Sequence, residues 1–342
     1  MRPQNIVLVL VTLALLPIGA AGSALDPDTL ARELDRLGTL VTDPALGNNG
    51  ERLQALHGRA AKALRRGHPH QALYEMQRGL VGAAGYLYLA EHKGVESLEA
   101  FDRLWQEQSL ILEQTQRIAQ GRVCLDAPIQ VRALVERAAN RATGHYRAAR
   151  AMAHADNLSG GLYYLGQARA EARLAKLCKV FRAAGLAAAS ATDDPDLPSL
   201  ADELPVLARD TGTAYEAPGA ALERHSEFIA LNASLKELGE LDAAGLRYGA
   251  LDRFLDARLR LSLLQAQAGD DPPAPDLGGE IDRLTARLTQ ASRDHSLALA
   301  YLERAASTID DPESGERDRL AAERIVSLLI PTYLQRIGPS RP

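Results

Sequence analysis

The chain has 342 residues, a net charge of −5 and an aromatic content of only 4%. Acids and bases are interleaved along it, so it lacks the basic footprint that holds nucleic acid. Alanine and leucine dominate the apolar set, so a core must come from many aliphatic contacts between helices rather than from a few large rings.

Residues 1–24 read as a secretory signal. Arg2 supplies the positive start, "IVLVLVTLALLPIG" the apolar run and "AAGSA" the small residues a peptidase needs, with cleavage expected after Ala24. The run from Ile6 to Ile18 is shorter than the roughly 20 residues of a spanning helix, and Pro17 interrupts it. No later segment is apolar enough to span a bilayer. The expected location is therefore the periplasm or the exterior, without a membrane span once the signal is cut.

From Leu25 onward the periodicity is helical almost throughout, and strand-like alternation is nearly absent. The first helix has Asp26 as N-cap and Pro27 at its first position, with Leu30, Leu34, Leu37 and Val41 on one face. A second follows "GNNG", with Leu53, Leu56 and Leu64 inward. The third, His70 to His92, places Leu73, Met76, Leu80, Ala83, Leu87 and Ala90 at alternating spacings of three and four. The fourth, Val95 to Gln120, turns Leu98, Phe101, Leu104, Trp105, Ile111, Leu112 and Ile118 inward. Pro128 opens a long fifth helix reaching about Ala155, and "ADN" turns the chain into a sixth that begins "LSGGLYYLGQA".

"AAASATDDPDLPSL" is the best linker in the sequence. Beyond it come a short helix interrupted by Pro205, a helix near Leu222 to Leu238, and a long one from Asp242 to Ala268. Glu280 to Ile309 and Arg317 to Ile337 follow, the latter with a kink or restart expected at Pro331. Asp-Asp-Pro occurs at 193–195, 270–272 and 310–312, which is ordinary helix-boundary chemistry rather than a calcium loop. The expected architecture is all-α: about eleven helices in antiparallel hairpins forming a bundle or a short helical array. Its domains would be 25–190 and 191–342.

Cys124 and Cys178 are the only cysteines, and in an exported chain they are expected to pair. Closing a loop across their 54-residue separation stabilises a fold by about 4 kcal/mol.

Catalytic and metal motifs are thin. None of the eight histidines has a glutamate three residues before it, as a di-iron bundle would require, and there is no His-Glu-x-x-His. His68 and His70 fall at a helix junction, where both are expected to be solvated. Nucleophile elbows and phosphate-binding glycine loops are absent. No cofactor or metal is expected. Arg132, Arg137, Arg141, Arg147 and Arg150 make the fifth helix basic, and neighbouring acids favour a solvated face for them over an anion groove.

Glycine and tyrosine supply the remaining signal. On the sixth helix Leu158, Gly161, Leu165, Ala168, Ala172 and Ala175 share one stripe, and the motif is weakly repeated 78 residues earlier as "LVGAAGYLYLA". Helical glycine costs about 1 kcal/mol against alanine, so several of them need an offsetting gain. Close helix packing would supply it. So would an apolar pocket lined by Tyr86, Tyr88, Tyr163 and Tyr164 around Gly161 and Leu165, with Tyr248 in a third, poorer copy of the motif. The leading functional expectation is a non-catalytic exported module that binds a partner protein or scaffolds an envelope complex. The alternative is a periplasmic carrier of an apolar, lipid-like small molecule; an enzyme is third.

Overall fold

A computed structural model of the chain describes Leu25 and Cys124 together with residues 27–119, 127–174, 177–181, 197–216, 225–266, 276–291, 293–312 and 314–338. The signal segment, Asp26, most of the linker and the first two Asp-Asp-Pro sites lie outside the described residues. The fold is all-α with about a dozen helices, and no strand occurs among the described residues. None of these helices is long and apolar enough to cross a membrane.

Two compact units divide the chain: described residues within Met1–Ala127 and Ala138–Ala188 form one, and those within Pro128–Arg137 and Ala189–Pro342 form the other. The first unit contains α1 (Pro27–Val41), a 3-10 turn (Pro44–Leu46), α2 (Asn49–Arg65), α3 (Pro69–Glu91), α4 (Leu98–Ala119), most of α5 (Ile129–His154), α6 (Leu158–Leu174) and the short α7 (Leu177–Val180).

Helix α3 is the centre of this unit, packing against α1, α2 and α6. Its burial runs nearly all round, and its glycines explain how three neighbours come so close. A Cβ on Gly79 would meet Leu37 of α1 at 3.0 Å, one on Gly82 would meet Leu53 of α2 at 3.0 Å, and one on Gly85 would meet Tyr163 of α6 at 2.7 Å. Each glycine thus accepts a side chain from a different helix, and the dispersion attraction of that close approach offsets the poor helix propensity. The α2–α3 turn uses Gly67 at φ 76°, which lets the His68 N–H donate to the Ala63 carbonyl at 2.9 Å, and Pro69 then opens α3.

In α1 the expected stripe of Leu30, Leu34, Leu37 and Val41 is buried, as are Leu53 and Leu56 in α2. Helix α4 departs from its reading. It starts at Leu98, three residues late, because Ser97 caps it by accepting from the Ala100 N–H at 3.2 Å. Its buried positions are Phe101, Gln108, Leu112, Thr115 and Ala119, whereas Leu98 and Ile111 are exposed. Two polar residues take inward places, and the Thr115 hydroxyl is satisfied there by backbone carbonyls, Ile111 at 2.7 Å and Ala172 at 3.3 Å.

Cys124 and Cys178 form a disulfide with Cα atoms 5.1 Å apart. His70 is buried and His68 half-buried, contrary to the expectation that both are solvated; the helix junction that holds them is packed rather than open.

The second unit contains α8 (Glu203–Glu216), α9 (His225–Ala243), α10 (Arg247–Gln265), α11 (Leu277–Thr289), α12 (Ser296–Ile309), α13 (Glu316–Arg324), a π-helical turn (Ile325–Leu329) and α14 (Ile330–Ile337), with the first residues of α5. Pro205 does not interrupt α8; it sits in the first turn, where its missing N–H would have no intrahelical partner anyway. Pro331 does perturb its helix, and the wider π turn immediately before it absorbs the lost ladder bond. The amino terminus of α5 is capped from the start of α12: Asp294 Oδ2 accepts the Ile129 N–H at 2.6 Å, and Ser296 Oγ accepts that of Gln130 at 2.9 Å.

Candidate functional site in the first unit

Helices α2, α3, α5 and α6 leave a cleft of about 270 Å³. Helical spacing assembles it. Asn49, Arg52, Leu53 and Leu56 come from one face of α2, and Tyr163, Gln167 and Glu171 from successive turns of α6; α3 adds Gln77, Arg78, Val81, Gly82 and Tyr86, and α5 adds Arg141. Leu53, Leu56, Gln77, Val81 and Glu171 are buried and make the inner surface, whereas Asn49, Arg52 and Arg78 are exposed at the mouth.

The inner surface is polar as well as apolar. Glu171 holds Arg141 through two hydrogen bonds, Nε to Oε1 at 2.7 Å and Nη2 to Oε2 at 3.2 Å, so the one lining carboxylate is engaged by a guanidinium fork. The Tyr86 and Tyr163 rings lie 4.8 Å apart in a tilted pair, and Gln167 Nε2 donates to the Tyr163 hydroxyl at 3.0 Å. Burial, reinforced by the neighbouring tyrosines, pushes the Tyr163 phenol up to about 12, so it stays a neutral hydrogen-bonding group at physiological pH. Gln77 is only 3% exposed, and its amide makes no hydrogen bond among the described residues. Its polar atoms open to the cleft instead of meeting a protein partner, so the fold gains no hydrogen bond from the amide.

The residues singled out from the sequence separate into two places. Tyr86 and Tyr163 line the cleft. Tyr88 and Leu165 belong instead to a packed cluster with Phe101, Ala149, Ala153 and Leu162, against which Tyr164, Trp105 and Tyr146 lean. Gly161 abuts that cluster: a Cβ there would sit 3.0 Å from the Ala149 carbonyl oxygen, from Ala153 and from Phe101. Gly166, outside the stripe of Gly161 and Leu165, closes the α3–α6 seam most tightly, because a Cβ would meet that of Tyr88 at 2.5 Å and the Ala84 carbonyl at 2.9 Å. Tyr248 lies in the second unit, buried, with the Arg132 guanidinium 3.8 Å from its ring centroid. Sequence reasoning does not mark Arg52, Arg78, Gln77, Arg141 or Glu171 as site residues. The legible signal is Gln77, a polar residue one turn after Leu73 and beside Met76 on the apolar face of α3.

The arginines of α5 also depart from expectation. Arg132 and Arg137 are buried rather than solvated. Acids on other helices face Arg137: its Nη1 meets Asp252 Oδ2 at 2.5 Å, and its Nε meets Glu237 at 3.4 Å. Arg253 lies 3.3 Å from Asp256 and 3.5 Å from Asp252, and Arg260 donates to Asp256 at 2.8 Å. The hydroxyls of Ser234 and Tyr301 donate to Asp256 and Asp252 at 2.9 and 3.0 Å, and the Gly249 N–H donates to Glu136 at 2.6 Å. Burial alone would raise both aspartates, but the guanidiniums outweigh it and hold them below the usual carboxylate range. Among the described residues no group of histidine, cysteine and carboxylate side chains is arranged to hold a metal ion.

The chain matches no protein-family model, no curated protein and no solved structure.

Proposed function

We propose that this is an exported, non-catalytic helical protein that binds a small molecule in the cleft of its first unit. The observation that carries the reading is the Gln77 amide, which belongs to an otherwise enclosed residue and faces the cleft without a protein partner, beside an aromatic pair. Ligand sites combine apolar walls with a few well-placed polar groups in this way. At interior packing density, 270 Å³ holds on the order of 10–15 non-hydrogen atoms, which favours a small polar ligand over a lipid-like guest. The lining carboxylate is tied to Arg141, which supports binding rather than proton transfer. Export is supported by the signal-like amino terminus together with the disulfide.

Native mass spectrometry of the full-length protein produced with its own leader tests this. The expected spectrum shows a chain beginning at Leu25 and carrying an adduct of roughly 200 Da, in keeping with the cleft volume. An uncut chain would contradict export. A bare chain that no compound in a small-molecule library stabilises would contradict the ligand site.

A partner-binding or scaffolding role in the cell envelope is the second reading. It rests on α4, which leaves Leu98, Leu110 and Ile111 exposed, Leu110 by 66%. A protein that co-purifies in fixed stoichiometry and is lost on Leu110→Ser with Ile111→Ser would favour it.

A further inference from the structure

Charge is distributed unevenly over the cleft. Arg141 is neutralised by Glu171, but Arg52 and Arg78 line the mouth with no carboxylate paired to either among the described residues. The Arg78 guanidinium rests 5.9 Å from the Tyr74 ring, a contact that leaves its donors available. Asn49 opens the first turn of α2, so the positive end of that helix also lies at the cleft. Behind this positive rim lie the neutral donors and acceptors of Gln77 and Gln167 and the paired rings of Tyr86 and Tyr163. A ligand matched to this order carries negative charge at one end and a flat or short apolar body at the other.

We propose that the cleft recognises a small organic oxyanion, a carboxylate or phosphate borne on an aromatic or short aliphatic body. Arg52 and Arg78 hold the anionic group, Gln77 satisfies a polar atom further in, and the body lies along Tyr86 and Tyr163. The proposal rests on the cleft being a ligand site, and adds to it the charge of the ligand and the residues that read that charge. Two separate guanidiniums suit an oxyanion because each offers paired donors to its oxygens.

The test is titration of the full chain with phenylacetate, phenyl phosphate and neutral benzyl alcohol, followed by ligand-observed NMR. At least one anion is expected to bind about tenfold or more tightly than benzyl alcohol and to weaken with added salt. Whichever anion is preferred identifies the oxyanion as carboxylate or phosphate. Arg52→Gln with Arg78→Gln is expected to reduce anion affinity by about tenfold or more and leave benzyl alcohol unchanged. Both side chains are exposed, so the variant should melt with the parent; if it does not, the single variants and the salt dependence of the parent decide. Equal binding of all three probes, or anion binding indifferent to the variants and to salt, overturns the anion assignment while leaving a ligand site standing. Failure of both anions to bind overturns it too, and the adduct in the native mass spectrum then judges the ligand site separately.

Discussion

Both units turn charge inward, and they treat it differently. In the second, four acids and three arginines among Glu136, Arg137, Glu237, Asp252, Arg253, Asp256 and Arg260 meet between helices, and hydroxyls of Ser234 and Tyr301 donate to two of the acids. In the first, Arg141 and Glu171 pair at the edge of a cleft, but the Gln77 amide and the Arg52 and Arg78 guanidiniums are left unmatched around it. Buried ion pairs tie one helix to another, whereas the polar groups around the cleft face solvent without a protein partner and contribute no such tie. The contrast separates polarity that serves the fold from polarity held for a ligand.

Asp252→Asn should produce the largest effect. It leaves Arg137 and Arg253 short of a negative partner inside the second unit, a loss of about 3–5 kcal/mol that thermal and urea unfolding would register. A change below about 1 kcal/mol would mean that the network does not hold the unit together. The same variant should flatten the acid limb of stability. Asp252 and Asp256 bind protons less readily folded than unfolded, so their stabilisation is full above the ordinary carboxylate range near pH 4 and is lost as the pH falls below it.

Reducing the Cys124–Cys178 bond should cost about 2–4 kcal/mol, expressed in the unit that contains both cysteines. Hydrogen exchange would locate the loss; protection falling equally in the second unit would blur the comparison. Tyr301→Phe is a finer probe, because it removes one donor to Asp252 and keeps the ring. A loss of about 1.5–3 kcal/mol is expected for a buried hydrogen bond to a charged acceptor.

The helices were readable because a stripe of leucine and alanine at spacings of three and four can be satisfied only by a helix packed on one side. The two central helices were harder. Helix α10 reads "RYGALDRFLDARLRLSLLQ", and its Asp252, Arg253 and Asp256 look in sequence like any solvated helix face. Their burial comes from neighbours on several sides, including Arg137 and Tyr301, which local periodicity cannot register. In α3 and α6, Tyr86 and Tyr163 stand out in the sequence as aromatic side chains beside glycines. Yet the nearby Tyr88 and Tyr164 turn to a different cluster, because each helical position rotates by about 100° from the last. The arginines of the cleft mouth were invisible for a simpler reason: exposed arginine is ordinary, and only the cleft behind Arg52 and Arg78 gives them meaning.

The most direct test of the contrast is the urea unfolding of Gln77→Met, which replaces the unmatched amide by an apolar side chain of similar size. If polarity in the cleft is held for a ligand, the variant unfolds at the same urea concentration as the parent or later, gaining up to about 1 kcal/mol. A loss of about 2 kcal/mol, comparable with that expected for Tyr301→Phe, would show that the amide serves the fold and would contradict the account.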